Sequence, residues 1–298
     1  MMIELEILWE MIPVGFMQSL ILAYLALGIM IPFRALNFAD LSAEGSYPFG
    51  ACLCAVLLSH GFNPWVAILI ALMGGVLVGF ATALLHLYLK INSLLAGIIL
   101  ATMLYSVNLR IMGKPNIPLF NDPTIFNSIS SSIESEMSLK IGLLMLLLLL
   151  IAGLIYGFLK TEKGLRLRAT GLNPMMAQAQ GVPLKLYILL GVGLANGLNA
   201  LSGALIAQSQ GFSEVNMGMG VVINGLAAVM IGEVIVGLNK PYKIVLAPIM
   251  GAIIFQQLQG VILVMGLQPS DFKLVTGILI IFTLGIRQIK YPKVNLGF

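Results

Sequence analysis

Charge is what this chain lacks most. Only 9% of its 298 residues are Asp, Glu, Lys or Arg, where a soluble domain carries about 25%. Hydrophobic residues make up 59%. No soluble fold could hide that much apolar surface, so lipid must be the solvent. Cysteine is nearly absent: Cys52 and Cys54 are two apart, point to different sides of a helix and exclude a disulfide framework. Without other ligands at a useful spacing they make no metal site. The phosphate-cradling pattern G-x-x-x-x-G-K-[ST] does not occur, nor do H-E-x-x-H or G-x-S-x-G. P-loop ATP hydrolysis within this chain is thereby excluded and intramembrane proteolysis has no support, so the expectation is a protein that is not an enzyme and needs no cofactor. Any energy source must be an ion gradient or another subunit. The N-terminal MMIELEILWE holds three glutamates and no basic region, unlike a secretory signal. The net charge of +4 is scattered between apolar runs, which does not suggest a nucleic-acid partner.

What is present is a series of apolar runs. A bilayer core takes roughly 20 residues per helix, and backbone satisfaction in lipid leaves helices as the option for such runs. The spacing predicts nine spans, at about 13–33, 41–59, 64–89, 92–112, 139–159, 184–208, 219–238, 243–265 and 272–287. The fold expected is therefore all-α and polytopic, one transmembrane domain over residues 1–298, with long connections only at 113–138 and 160–183. With the N-terminus outside, twelve of the sixteen Lys and Arg residues fall in inner segments, as the positive-inside bias requires. The expected topology is N-out and C-in, with 160–183 cytoplasmic and 113–138 external, the latter a docking surface or a plain linker. Spans 1–4 and 6–9 would then be oppositely oriented groups joined by span 5, a possible inverted repeat with the solute path at its interface. The 32 glycines fit close helix packing, and Gly75-x-x-x-Gly79 and Gly193-x-x-x-Gly197 permit it locally.

Polar residues cluster in two places. In RALNFADLSAEGSYPFG (34–50), Asn37, Asp40, Ser42, Glu44 and Ser46 crowd the start of span 2, which Gly45 and Pro48 are expected to interrupt. Either this segment lines the translocation path, or 34–44 is a solvated loop in which Asp40 or Glu44 caps span 2. Asn196, Asn199 and Ser202 share a face of span 6, and Asn224 lies inside span 7. They read either as path residues or as interhelical hydrogen-bonding groups. Glu233, a costly carboxylate near the inner end of span 7 and close to Lys240, reads as an inner-gate or partner-contact residue.

The stretch from Lys160 to Lys185 is polar and basic. Gly171 and Asn173-Pro174 open a short helix in it, and Gly181-Val182-Pro183 closes it. A helical insertion of this kind between spans suits contact with a cytoplasmic partner.

The segment ATGLNPMMAQAQGV (169–182) resembles the coupling motif of ABC importer permeases of the branched-chain amino acid and ribose type, with Gly171, Asn173, Ala177 and Gly181 at matching positions. LNFADLSAEGSYPFGA (36–51), residues 92–119 and the Ile-Gly-Glu at Glu233 resemble the same superfamily in the same order, closest to a subgroup of tryptophan/tyrosine-type permeases. The resemblance implies a homodimeric permease in the bacterial cell (inner) membrane, gripped by two cytoplasmic ATPase subunits and served by an extracytoplasmic substrate-binding protein. It further implies that Gly171, Asn173, Pro174, Met175, Met176, Ala177 and Gly181 form the ATPase-coupling element, and that the solute is small, an amino acid with an aromatic side chain by analogy. A gradient-driven carrier acting alone is the alternative, with Asp40 and Glu44 as its proton- or sodium-handling groups.

Overall fold

The computed structural model describes residues 2–120, 122–126, 136–237, 241–264 and 271–290. Among them, helices account for nearly everything. They are α1 (Met2–Met30), α2 (Ala43–Ser59), α3 (Pro64–Leu89), α4 (Ser93–Met112), α5 (Glu136–Lys160), α6 (Glu162–Leu172), α7 (Pro174–Ala179), α8 (Leu184–Gln210), α9 (Val221–Val236), α10 (Pro241–Val264) and α11 (Phe272–Lys290). The one sheet among the described residues is a two-stranded ribbon, β1 (Asn116–Pro118) against β2 (Phe212–Glu214), antiparallel with Ile117 opposite Ser213.

Each expected span coincides with a helix. Among the described residues, seven segments are long and apolar enough to cross a bilayer. Neither α2, of 17 residues, nor α11 is among these seven. The chain is thus an all-α polytopic membrane protein. Polar residues set many boundaries. Asn63 and Asn92 cap α3 and α4 by accepting hydrogen bonds from the Trp65 and Leu94 amides. Gly113 and Gly211, at φ +67° and +74°, end α4 and α8.

Two long helices end in breaks. α1 runs into a π-helical turn at Ile31–Ala35. Pro32 has no amide hydrogen to give, and widening the turn is one way to accommodate it. Asn37, at φ +50°, then turns the chain out of the helix, and 36–42 is non-helical before α2 begins. The break falls there and not where Gly45 and Pro48 were expected to interrupt: both sit inside a continuous α2. After α8, residues 211–220 hold β2 and a single 3-10 turn before α9 begins.

The core is built on close helix crossings. A Cβ on Gly79 would lie 2.3 Å from the Val192 carbonyl oxygen, and one on Gly75 would lie 2.4 Å from the Asn196 carbonyl oxygen. The two small-residue motifs of the sequence therefore pack on each other, α3 against α8. α2 crosses α8 in the same way: a Cβ on Gly50 would meet the Ala200 carbonyl oxygen at 2.0 Å. Ser42 lies beside Asn196 and Cys54 beside Gln208, so α2 and α8 run in the same direction. α1 in turn packs on α9 and α10 as α8 packs on α2 and α3. The described part of 113–126 is folded in, not loose: Leu119, Ile125 and Phe126 are buried, and the Ile125 amide donates to Gln208 Oε1 at 2.9 Å.

Candidate coupling element and translocation path

The segment 162–182 forms a hook. Thr161 caps α6 by accepting from the Gly164 amide. Asn173 both ends α6 and caps α7, its side-chain oxygen accepting from the Met176 amide at 3.0 Å, with Pro174 in the first turn. Gly181, at φ +77°, turns the chain back toward α8. The exposed apolar face of the hook is Leu172, Met175 and Met176, at 86%, 84% and 60% exposure. Ala177 faces the other way: it is 4% exposed, and its carbonyl accepts from the Val182 amide. It holds the hook together and offers no surface. The other side of the hook is locked to the end of α1. A Cβ on Gly171 would lie 2.2 Å from the Ala35 carbonyl oxygen, so no larger residue fits. Gly171 thus seats α6 directly against the end of the π turn of α1.

That π turn is clamped from another direction. Arg34 donates from Nε and Nη2 to the two carboxylate oxygens of Glu233 on α9. Such a bidentate pair fixes position as well as charge. Glu233 is 4% exposed, and its carboxylate is turned to Arg34 inside the protein. Lys240, expected beside it, lies outside the described residues. The partnership spans 199 positions of sequence, which no local pattern reveals.

Of the expected path residues, Asp40, Ser42 and Asn196 are brought together. Asp40 Oδ1 accepts from the Ser42 amide (2.8 Å) and hydroxyl (2.5 Å), and Asp40 Oδ2 accepts from Asn196 Nδ2 (2.9 Å). All three residues are buried. This knot pins the break after α1 to the middle of α8. Ser202 donates to the Ile21 carbonyl, joining α8 to α1. Asn199 is packed against Gly28, and its side-chain oxygen has no hydrogen-bond partner. Ser46 is buried with its hydroxyl likewise unpartnered. Asn224 is half-buried on α9 and Asn37 is exposed.

Glu44 stands apart from the knot. It lines a cavity of about 230 Å³ with Pro48 of α2, Thr102, Tyr105 and Asn108 of α4, and Asn216 of the break after α8. Sequence reasoning passed over Asn108. The available signal was an amide inside a largely apolar span, two positions before Arg110.

An all-α bundle with two broken helices, buried polar knots and an exposed hook between spans is the architecture of a transport permease. The chain belongs to the family described as branched-chain amino acid transport system, permease component, whose model matches residues 11–284. It is 41% identical over 280 residues to the tyrosine transport system permease protein of Clostridioides difficile, covering 93% of this chain and 92% of that one. It is 26% identical over 250 residues to the autoinducer 2 import system permease protein of Salmonella typhimurium, covering 84% of this chain and 70% of the other. A metal-chelate type ABC transporter in an inward-facing conformation shares the fold, with TM-score 0.50, 17% identity, and coverage of 93% of this chain and 85% of that one. The protein is thus a multi-pass permease of the bacterial cell (inner) membrane, and membership of the family implies an ATPase partner and a substrate-binding protein.

Proposed function

We propose that this chain is the membrane subunit of an ATP-driven importer for a small solute, an amino acid with an aromatic side chain in keeping with its tyrosine-named relative, and that it carries no catalysis of its own. Residues 1–298 act as one transmembrane domain of nine membrane-embedded helices, N-out and C-in. The observation that carries this reading is the hook: three exposed apolar side chains, Leu172 at the end of α6 and Met175 and Met176 on the capped α7, with Gly171 of α6 wedged against Ala35 at the end of α1. An exposed apolar patch on a polar connection asks for a partner. An ATPase that bound this patch and changed shape on binding ATP would move α6–α7 as a lever. The lever would act on the π turn, the Arg34–Glu233 clamp and the Asp40 knot.

The inverted-repeat expectation is supported by the pattern of breaks and packing. α1, its break and the 17-residue α2 correspond to α8, its break and the 16-residue α9. Discontinuous helices of this kind line substrate paths. Two copies of the chain would enclose the path between them, as a homodimer. Substrate entry would depend on the outer binding protein.

The test is L-tyrosine uptake by cells expressing the complete transporter. We expect uptake to survive collapse of the membrane potential by an uncoupler while ATP is held constant, and to stop when ATP is depleted. Uptake that follows the potential and ignores ATP would replace this reading with a gradient-driven carrier using Asp40 and Glu44.

A further inference from the structure

The break after α8 meets the first turn of α2. Gly218, in the break after α8, is so close to α2 that a Cβ there would lie 2.1 Å from the Glu44 carbonyl oxygen. Beside this contact is the cavity of about 230 Å³ walled by Glu44, Pro48, Thr102, Tyr105, Asn108 and Asn216. Asn108 is fully buried, and neither its amide nitrogen nor its amide oxygen has a hydrogen-bond partner. Leaving a buried polar group unsatisfied is costly, and a leucine of nearly the same size would avoid that cost. An amide with both ends unpartnered, in the wall of a cavity, is within reach of something that enters it.

The other groups define what that is. Glu44 is only half-buried, and among the described residues no basic side chain pairs with it. Pro48 has no amide hydrogen, so the Glu44 carbonyl, four residues earlier, loses its usual helical donor. The cavity wall carries a carboxylate and an amide oxygen. Acceptors with one negative charge suit an ammonium group, which has three donors and one positive charge.

We propose that this cavity is a recognition site for the ammonium group of a small solute, with Glu44 as countercharge and Asn108 as the orienting amide. Its Nδ2 is left to donate to a carboxylate on the same molecule, which fits an α-amino zwitterion. The proposal rests on the permease reading and deepens it by assigning the solute's ammonium group to one cavity and to Glu44 and Asn108 within it. An ethanolamine lipid headgroup carries the same ammonium, and the test separates the two sources.

The full chain, with the buried Cys52 and Cys54 replaced by alanine and with Asn216→Cys at the cavity rim, is reconstituted in phosphatidylglycerol vesicles. It is labelled with methanethiosulfonates of similar size and opposite charge. We expect the cationic reagent to react about tenfold faster than the anionic one, in the range that charge focusing in a cleft produces. That preference should collapse in Glu44→Gln. Millimolar tyramine should slow labelling, while 3-(4-hydroxyphenyl)propionate, which lacks the amine, should not. Asn108→Leu should abolish tyramine protection without loss of thermal stability. Protection by added phosphatidylethanolamine in place of tyramine would keep the ammonium site and assign it to lipid. Equal rates for both reagents, or tyramine protection untouched by both Glu44→Gln and Asn108→Leu, would overturn the proposal. None of these readouts requires transport. A chain that labels as expected but moves no solute would sink the permease reading and leave the site standing.

Discussion

One substitution, Gly→Ala, should change sign with its address in this protein. At Gly79 the added methyl would sit 2.3 Å from the Val192 carbonyl oxygen and 2.7 Å from the Gly193 Cα. Those are backbone atoms, which no side-chain rotation can clear, and real Cβ atoms do not approach below about 3 Å. α3 and α8 must move apart, and overpacking of that kind costs about 1–3 kcal/mol. Separation also thins dispersion contacts along the whole crossing, since a radial gap of 0.5–1 Å forfeits roughly a quarter to a half of each contact. At Gly157 on α5 nothing lies within 4 Å of the new methyl. There alanine costs no packing and gains roughly 0.5–1 kcal/mol of helix stability over glycine. The two variants should therefore lie on opposite sides of the parent and differ by about 1.5–4 kcal/mol. Reversible unfolding in mixed detergent micelles with increasing dodecyl sulfate, followed by circular dichroism, reads both. If Gly79→Ala unfolds at or above the parent's midpoint, the α3–α8 crossing is not as close as described and the reasoning fails.

Three further outcomes follow from particular contacts. Arg34→Met and Glu233→Met should each destabilise toward the lower end of roughly 3–5 kcal/mol, because Arg34 retains 28% exposure. The double variant should recover most of the loss in the same unfolding assay, and additive losses would refute a direct pair. Asn173→Ala removes the cap of the six-residue α7, worth about 1 kcal/mol; amide exchange over 174–180 should quicken while α8 stays protected. Asp40→Asn turns a pure acceptor into a group with its own donors against the Ser42 amide, the Ser42 hydroxyl and Asn196. It should cost about 1–3 kcal/mol, whereas unchanged stability would mean the knot does not hold α8 to the break.

Much of this architecture was legible because lipid imposes a strict rule: every apolar run long enough to cross becomes a helix. The cap at Asn173-Pro174 and the exit at Gly181 were equally plain, since both depend on local chemistry. Facing the hook was not. Met175, Met176 and Ala177 look alike as small or apolar residues, and only the fold of α7 onto α8 turns Ala177 inward and the methionines outward. The small-residue motifs at Gly75 and Gly193 were visible singly, but their mutual packing depends on contacts more than 110 positions apart. Arg34 and Glu233 were hidden for the same reason. Pro48 misled: a proline in a helix usually marks its break, but here it stands within the first two turns of α2, where few helical bonds precede it, and the break lies upstream at 36–42. Asn108 was overlooked because a polar residue matters only through what surrounds it, and Glu44 on α2 and Asn216 in the break after α8 are both distant in sequence.

The most direct test of the central claim, that the exposed hook is the seat of an ATP-driven partner, is a photocrosslink from that surface. A photoreactive amino acid at Met175, in the chain expressed with its native neighbours, should capture an ATPase subunit on irradiation. Capture should be lost with Leu172→Asp and Met176→Asp in the same chain, both of which leave the buried side of α7 intact. A hook that crosslinks only to lipid or to its own chain, with no ATPase accompanying the protein through mild purification, would contradict the account.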